Sequence, residues 1–248
     1  MSVDFTGTKS LAIPEGSVIK VTRKSDGIIL WEQDNGIKIG SLEVGSIVKL
    51  NINGTATDFI IIHQGNPDSS IYDSSCDGTW LLMRDIYEKK ALDKSYNIYS
   101  NSATHTYLNN TFINLFDSSV RSAIKQVKLP YTTAKNSTTV ATGSNGVSAK
   151  VFLLSYTEIG LARDSGIGVE GVALDYFNGA ASAKRIAYFN GTATNWWVRS
   201  IYSSGMGGNI FISTTGAYNK GSYTNLYGIR PALVLPSILS VSSDGEIN

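Results

Sequence analysis

One stretch limits the possible folds more than any other: Trp196 to Ser237, WWVRSIYSSGMGGNIFISTTGAYNKGSYTNLYGIRPALVLPS. Both ends are apolar and β-like, and a third apolar run, NIFIST, lies in the middle. Between them, 19 of the 26 positions from 202 to 227 are Tyr, Ser, Gly, Asn or Thr, and only Lys220 is charged. The pattern reads as polar loops held between buried strands. In such loops Tyr supplies large, rigid contact area at low entropic cost, while Ser, Gly and Asn supply adaptable hydrogen bonds. A rigid scaffold presenting polar loops is a common way to build a binding site. Residues 202–227 are therefore expected to form a ligand-binding face.

The rest of the chain predicts mixed structure. LAIPEGSVIKVTRKSDGIILWE, residues 11–32, has β-branched runs on either side of Asp26-Gly27, a hairpin signal. GSIVKLNI and DFIIIHQG repeat that pattern around Asn53-Gly54. Leu108, Phe112 and Leu115, then Val120, Ile124 and Val127, recur at helical spacing, which predicts two short helices. Asp117 or Ser118 is expected to cap the second, and Pro130 to stop it. The strand AKVFLLS leads to Ser155 and Glu158, the S-x-x-E pattern of a helix start. These elements predict an α+β domain over 38–248 with an N-terminal β-hairpin appendage over 1–37.

Composition excludes several function classes. A net charge of +1 without a basic block offers no footprint for nucleic acid or an anionic membrane. Apolar runs such as FIII and VFLL are far shorter than the roughly 20 residues of a bilayer span, and the N-terminus shows no secretory signal pattern. The lone Cys76 reads as an inert buried thiol. His63 and His105 lack a second ligand at helical spacing and read as structural histidines. GIGVEG, 166–171, fits G-x-G-x-x-G, but it follows LARDS and no helix pattern comes after it, so it reads as a loop. Asp73, Asp77, Asp85, Glu88, Asp164, Glu170 and Asp175 are scattered and read as solvated surface acids. No catalytic signature is present, so no enzyme activity, cofactor or metal is expected.

WWVRS, NIFISTTG, the Tyr/Asn/Ser-rich run and GIRPALVLPS, with DGTWLLMRDIYE, YLNNTFINLFDSSVRSAIKQVKLP and AKVFLLSYTEIG upstream, resemble C-type-lectin-fold proteins of gut bacteria and phages. These include the variable proteins of diversity-generating retroelements. The resemblance covers roughly residues 38–248. It implies a C-type lectin-like fold, related to formylglycine-generating enzymes, that displays a hypervariable ligand-binding face. Carried onto this chain, it makes Trp196, Trp197, Arg199, Gly216, Gly228, Arg230 and Pro231 the fixed framework. The implied ligand-binding residues are Tyr202, Ser203, Ser204, Gly205, Gly207, Gly208, Asn209, Tyr218, Asn219, Ser222, Tyr223, Thr224, Asn225 and Tyr227. For Tyr218 the alternative is a packing role, facing inward after the strand. The calcium-binding triplets of sugar-binding relatives are missing, and so are the reactive cysteines of the oxidases.

The resulting expectation is a non-enzymatic receptor-recognition protein, a phage- or prophage-derived adhesin on a virion tail or bacterial surface. Its partner would be a protein or surface glycan on a bacterial cell, with homo-oligomerisation or tail attachment as further possibilities. The alternatives are a carbohydrate-active enzyme with paired carboxylates, or a virion subunit using the same face for oligomer contacts.

Overall fold

The computed structural model describes residues 17–22, 29–95, 98–203, 208–242 and 245–247, with side chains from Gly36 onward. Strands β1 (Ser17–Thr22) and β2 (Ile29–Asn35) pair antiparallel. The Asp26-Gly27 turn lies outside the described residues.

Two five-stranded sheets form the body. The first contains β3 (Ile47–Ile52), β4 (Thr55–Gln64) and β5 (Thr79–Met83); the second begins with β6 (Glu88–Lys90). After β7 (Val151–Phe152) come β8 (Trp196–Ile201), β9 (Asn209–Ile212), β10 (Tyr218–Gly221), β11 (Tyr227–Ile229) and β12 (Ala232–Leu235). The spatial order is β7-β12-β5-β4-β3 in one sheet and β10-β9-β8-β11-β6 in the other. All neighbours are antiparallel except β8 and β11. The β3–β4 turn forms at Asn53-Gly54, with φ of 55° and 77°, the left-handed conformation such tight hairpins require.

The sheets are joined twice, side by side. β5 runs into β6 through residues 84–87, and β11 runs into β12 through Arg230-Pro231. Across this double crossover Met83 N–H donates to the Pro231 carbonyl at 2.8 Å and Tyr87 N–H to the Ile229 carbonyl at 2.9 Å. Proline lacks a donor for a sheet ladder, so its place at the break between two strands follows from its chemistry.

The expected α+β, C-type lectin-like class is overturned. Among the described residues the α-helices are α1 (Ala103–Asn110) and α2 (Ser118–Ala123), of eight and six residues, against two large sheets and several two-stranded ones. The protein is predominantly β. Two sequence signals overstated helix. The periodic segment from Leu108 breaks at Phe112–Leu115 into a 3-10 turn, and α2 ends at Ala123, so Pro130 follows a strand, Val127–Leu129, rather than ending a helix. Asp117 sits at the N-cap of α2 without a side-chain cap bond. The S-x-x-E pair makes both of its reciprocal bonds, Ser155 N–H to Glu158 Oε2 at 2.9 Å and Glu158 N–H to Ser155 Oγ at 3.0 Å. It closes a turn instead of a helix, because Glu158 is held by the core and the chain leaves through Gly160 at φ 71°.

The apolar core runs continuously through both sheets. Trp80, Trp196 and Trp197 are completely buried. Trp80 makes edge contacts with Phe152 at 5.5 Å and Tyr72 at 5.7 Å, pairs worth about 0.5–1.5 kcal/mol each beyond area burial.

Candidate functional site

The site begins with the alternation of the second sheet. Neighbours along a strand point to opposite faces, and directly paired residues share one. Trp197 pairs with Phe211, and Phe211 with Asn219; Ile210 pairs with Lys220, and Ile212 with Tyr218. Asn219 therefore shares a face with Phe211 and Trp197, whereas Tyr218 and Lys220 occupy the other.

The residues implied to form one ligand-binding face consequently divide. On the first side Tyr227 packs on Phe211 (4.4 Å) and Trp197 (4.8 Å), and its hydroxyl accepts from Asn225 Nδ2 at 3.0 Å. Nearby, Ser222 and Thr224 share a hydroxyl bond of 2.8 Å, and the Tyr223 carbonyl accepts from Leu92 and Asp93. On the second side Lys220 Nζ stands 3.1 Å from the centroid of the Tyr202 ring. Tyr218 donates to Asp164 Oδ2 at 2.7 Å and stacks edgewise on Tyr156 at 5.0 Å. Tyr202 N–H donates to the Gly208 carbonyl and Ser203 N–H to the Gly166 carbonyl. Asn209 is 1% exposed and sits inside the sheet, so it presents nothing outward. Ser204, Gly205 and Gly207 lie outside the described residues.

The framework residues are interior. Trp196 and Trp197 donate from their indoles to the Arg185 and Lys90 carbonyls. A Cβ on Gly228 would come within 2.6 Å of Ile86, and one on Gly216, at φ 78°, within 2.0 Å of the Ser182 carbonyl oxygen. Arg230 fills the double crossover, donating from Nε to the Met83 carbonyl and from Nη2 to that of Arg84.

Beneath the second sheet lies a polar centre that corrects the reading of Glu170 as a surface acid. Arg199 grips Glu158 in a two-point pair, with Nη1 to Oε2 and Nη2 to Oε1 both at 2.6 Å, and Glu170 Oε2 lies 3.8 Å from its Nε. The Arg199 and Glu158 side chains are 0% exposed and that of Glu170 is 1%. Tyr72 donates to Glu158 Oε1 at 2.9 Å; Ser200 Oγ and Thr132 N–H donate to Glu170 at 2.7 and 2.8 Å. Burial raises the Glu170 pKa against the pull of Arg199. Burial also opposes charge on Arg199, yet Glu158 and Glu170 outweigh it and lift its pKa. Each carboxylate oxygen has a donor and none reaches solvent, so these paired acids form a structural knot. They are unavailable for hydrolysis.

The GIGVEG segment is a loop, as its sequence context indicated, and it delivers Glu170 to the knot. A Cβ on Gly171, at φ 110°, would fall 1.9 Å from the Tyr72 hydroxyl. The same loop forms one wall of the exposed site. Two adjoining cavities of about 160 and 210 Å³ share Arg163, Asp164, Ile167 and Val169, with Tyr156, Leu161 and Val140 among their other walls. Asp164 accepts from Gly166 N–H at 2.8 Å as well as from Tyr218, and these two bonds lower its pKa. Its hydrogen bond to Asp164, then burial, raises the Tyr218 hydroxyl, and burial pushes Tyr156 up to about 12. At neutral pH the cleft thus offers a fixed carboxylate, the neutral Tyr156 phenol and the exposed Val169, with Tyr218 bonded to that carboxylate beside it.

The 156–169 wall was missed in the sequence. Its one legible signal is Asp164-Ser165-Gly166, an Asp whose side chain bonds the amide two residues on. His63 Nδ1 lies 2.7 Å from Asp175, and His105 contacts Tyr99 edgewise at 5.1 Å with its pKa lowered by burial. Among the described residues no group of three or more His, Cys, Asp or Glu could hold a metal ion, and no helix is long and apolar enough to cross a membrane.

Two curled-together sheets, a sealed ionic knot and a small surface cleft along the 156–169 loop define a predominantly β protein with a recessed surface site. The chain belongs to the family described as Domain of unknown function (DUF6273), whose model matches residues 77–237, well over half its length. That span holds the knot's Glu158, Glu170 and Arg199 and the whole of the cleft. No curated protein and no solved structure matches the chain.

Proposed function

We propose that this protein is a non-catalytic recognition module whose ligand seats in the cleft along the 156–169 loop and on the neighbouring Tyr202 and Tyr218. The observation that carries the reading is that Tyr202 and Tyr218 are held from several directions yet remain partly open. Tyr202 lies against Gly166, where a Cβ would approach its ring to 2.4 Å, and under Lys220; Tyr218 is tied to Asp164 and Tyr156. Rings fixed before binding lose little entropy on contact, which favours affinity. The proposed ligand is a bacterial surface molecule, protein or glycan, that offers hydrogen-bond donors to Asp164 and an apolar group to Val169.

The binding residues of the proposal are Tyr202, Tyr218, Lys220, Asp164 and Val169. Tyr223, Asn225 and Tyr227 are assigned to packing at the far side of the sheet. Capture of purified surface proteins and polysaccharides from gut bacteria by immobilised protein tests this. The paired substitution Tyr202→Ala and Tyr218→Ala should abolish capture with the fold retained. Undiminished capture by that variant would refute the assignment. A near-copy of the 196–235 codons differing at adenines, beside a reverse transcriptase gene, would extend the proposal to a diversified cassette.

A further inference from the structure

Another cavity lies at the double crossover, away from the 156–169 cleft. It measures about 240 Å³ and is lined by Ile60, Arg84, Asp85, Tyr176, Lys184, Tyr188 and Arg230, among others. Arg230 is 2% exposed and forms its floor, while Arg84, Asp85, Lys184 and Tyr188 stand exposed around it.

The Arg230 guanidinium is incompletely satisfied. Nε and Nη2 donate to the Met83 and Arg84 carbonyls, but the buried Nη1 has no hydrogen-bond partner. Among the described residues no carboxylate lies within ion-pair distance of Arg230; the Trp196 ring is 5.2 Å away, and Tyr176 and Asp85 of the same cavity favour its charge from farther off. The contrast with Arg199, which holds two carboxylates, is direct. Burial lowers the Arg230 pKa to about 10, so it remains charged at neutral pH. A buried charge without a paired counter-ion is costly even with Asp85 at longer range, and a buried donor without an acceptor adds to that cost.

We propose that this cavity binds a small monocarboxylate, drawn by the charges of Arg230 and Lys184, with a small shift of the lining letting its oxygen accept from the buried Arg230 Nη1. Arg84 is less available, since it pairs with Asp58 at 3.0 Å. Lys184 Nζ is already placed at the mouth, donating to the Tyr176 carbonyl at 3.1 Å and lying 4.6 Å from the Tyr176 ring centroid. Two features select a single negative charge on an apolar body. Asp85 in the lining disfavours a dianion, and Ile60, Ile186 and the rings of Tyr176 and Tyr188 offer apolar wall to the rest of the molecule.

The test is calorimetric titration of the full chain with sodium benzoate, sodium acetate and inorganic phosphate at matched ionic strength. Benzoate is expected to bind saturably, more tightly than acetate, with phosphate weakest. Lys184→Ala should weaken benzoate by about two- to fivefold, the size of a partly screened charge contact. Asp85→Asn should tighten it by a similar factor. Both substitutions are at exposed positions and leave the fold intact, so the test survives if Arg230→Gln does not fold. Absence of saturable benzoate binding overturns the proposal. So does unchanged affinity in both surface variants, which would place the anion elsewhere, and so does phosphate binding more tightly than benzoate.

Discussion

The second sheet has a sealed side and an open one, and both are built from polar residues around a single strand. Arg199 and Ser200 of β8 both reach the knot because the pairing with β9 is interrupted between Trp197 and Ile201, and Glu158, Glu170 and Tyr72 meet them there without solvent. Just beyond, Tyr202 emerges beside Lys220 and the 156–169 loop. The chain there serves both places: Asp164 in the loop faces the cleft, and Glu170, the residue after its end, enters the knot. The difference teaches what polarity costs in each setting. Inside, every donor and acceptor must be matched, because removing one partner strands the others in low dielectric. Outside, water substitutes for a missing partner and residues are free to serve a ligand.

The comparison breaks first at Arg199. Arg199→Met leaves two buried carboxylates without their cation and should cost about 3–5 kcal/mol, a large part of the roughly 5–15 kcal/mol that holds a domain together. Urea denaturation, or simple loss of soluble protein, would register it. A variant as stable as the parent would mean that the knot is not the structural centre described.

Smaller effects follow at the knot's margin. Gly171→Ala puts a methyl group onto the Tyr72 hydroxyl and forces a non-glycine residue to positive φ, and should lower stability by roughly 1–3 kcal/mol. Tyr227→Ala removes a ring packed on Trp197 and Phe211 and should lower the melting temperature clearly more than Tyr202→Ala does. A variant replacing Tyr202, Tyr223 and Tyr227 together therefore confounds binding with packing, and the Tyr202/Tyr218 pair is the cleaner probe. Equal melting temperatures for the two single variants would dissolve the division of the sheet into packing and binding sides.

Two milder measurements sharpen the picture. Burial pushes the Cys76 thiol up to about 12, so a thiol reagent at pH 8 should label it only on unfolding, at the rate of global opening. Prompt labelling would show that the first sheet opens locally. The Asp164 pKa is lowered, so its bonds to Tyr218 and Gly166 are at full strength above the ordinary carboxylate value of 3.8 and fade as pH falls through the lower folded value. Ligand capture should be level from pH 5 to 7 and decline only in strong acid, with Asp164→Asn removing that decline. A loss of capture near pH 6 would point to a different titrating group.

Strand-forming runs were readable from the chain alone. Alternating β-branched residues around Asn53-Gly54 specify the β3–β4 hairpin, because period-2 patterning and a turn needing positive φ are local properties. The burial of Trp196, Trp197 and Cys76 was legible from residue type. The Ser155–Glu158 bonds were legible as well, though not the turn they close, since whether a cap opens a helix depends on what holds the Glu side chain.

What only the tertiary structure decided is which polar residues are inside and which side of a sheet each tyrosine takes. Glu170 reads like any isolated acid until Arg199, 29 positions later, is folded against it. Tyr218 and Tyr227 share a composition and a neighbourhood in the chain, yet sheet pairing sends them to opposite faces, because one step of register reverses a side chain. Residue type and local period determine what a segment can become; the partner that neutralises a charge or covers a ring comes from far along the chain, and only the assembled sheets choose it.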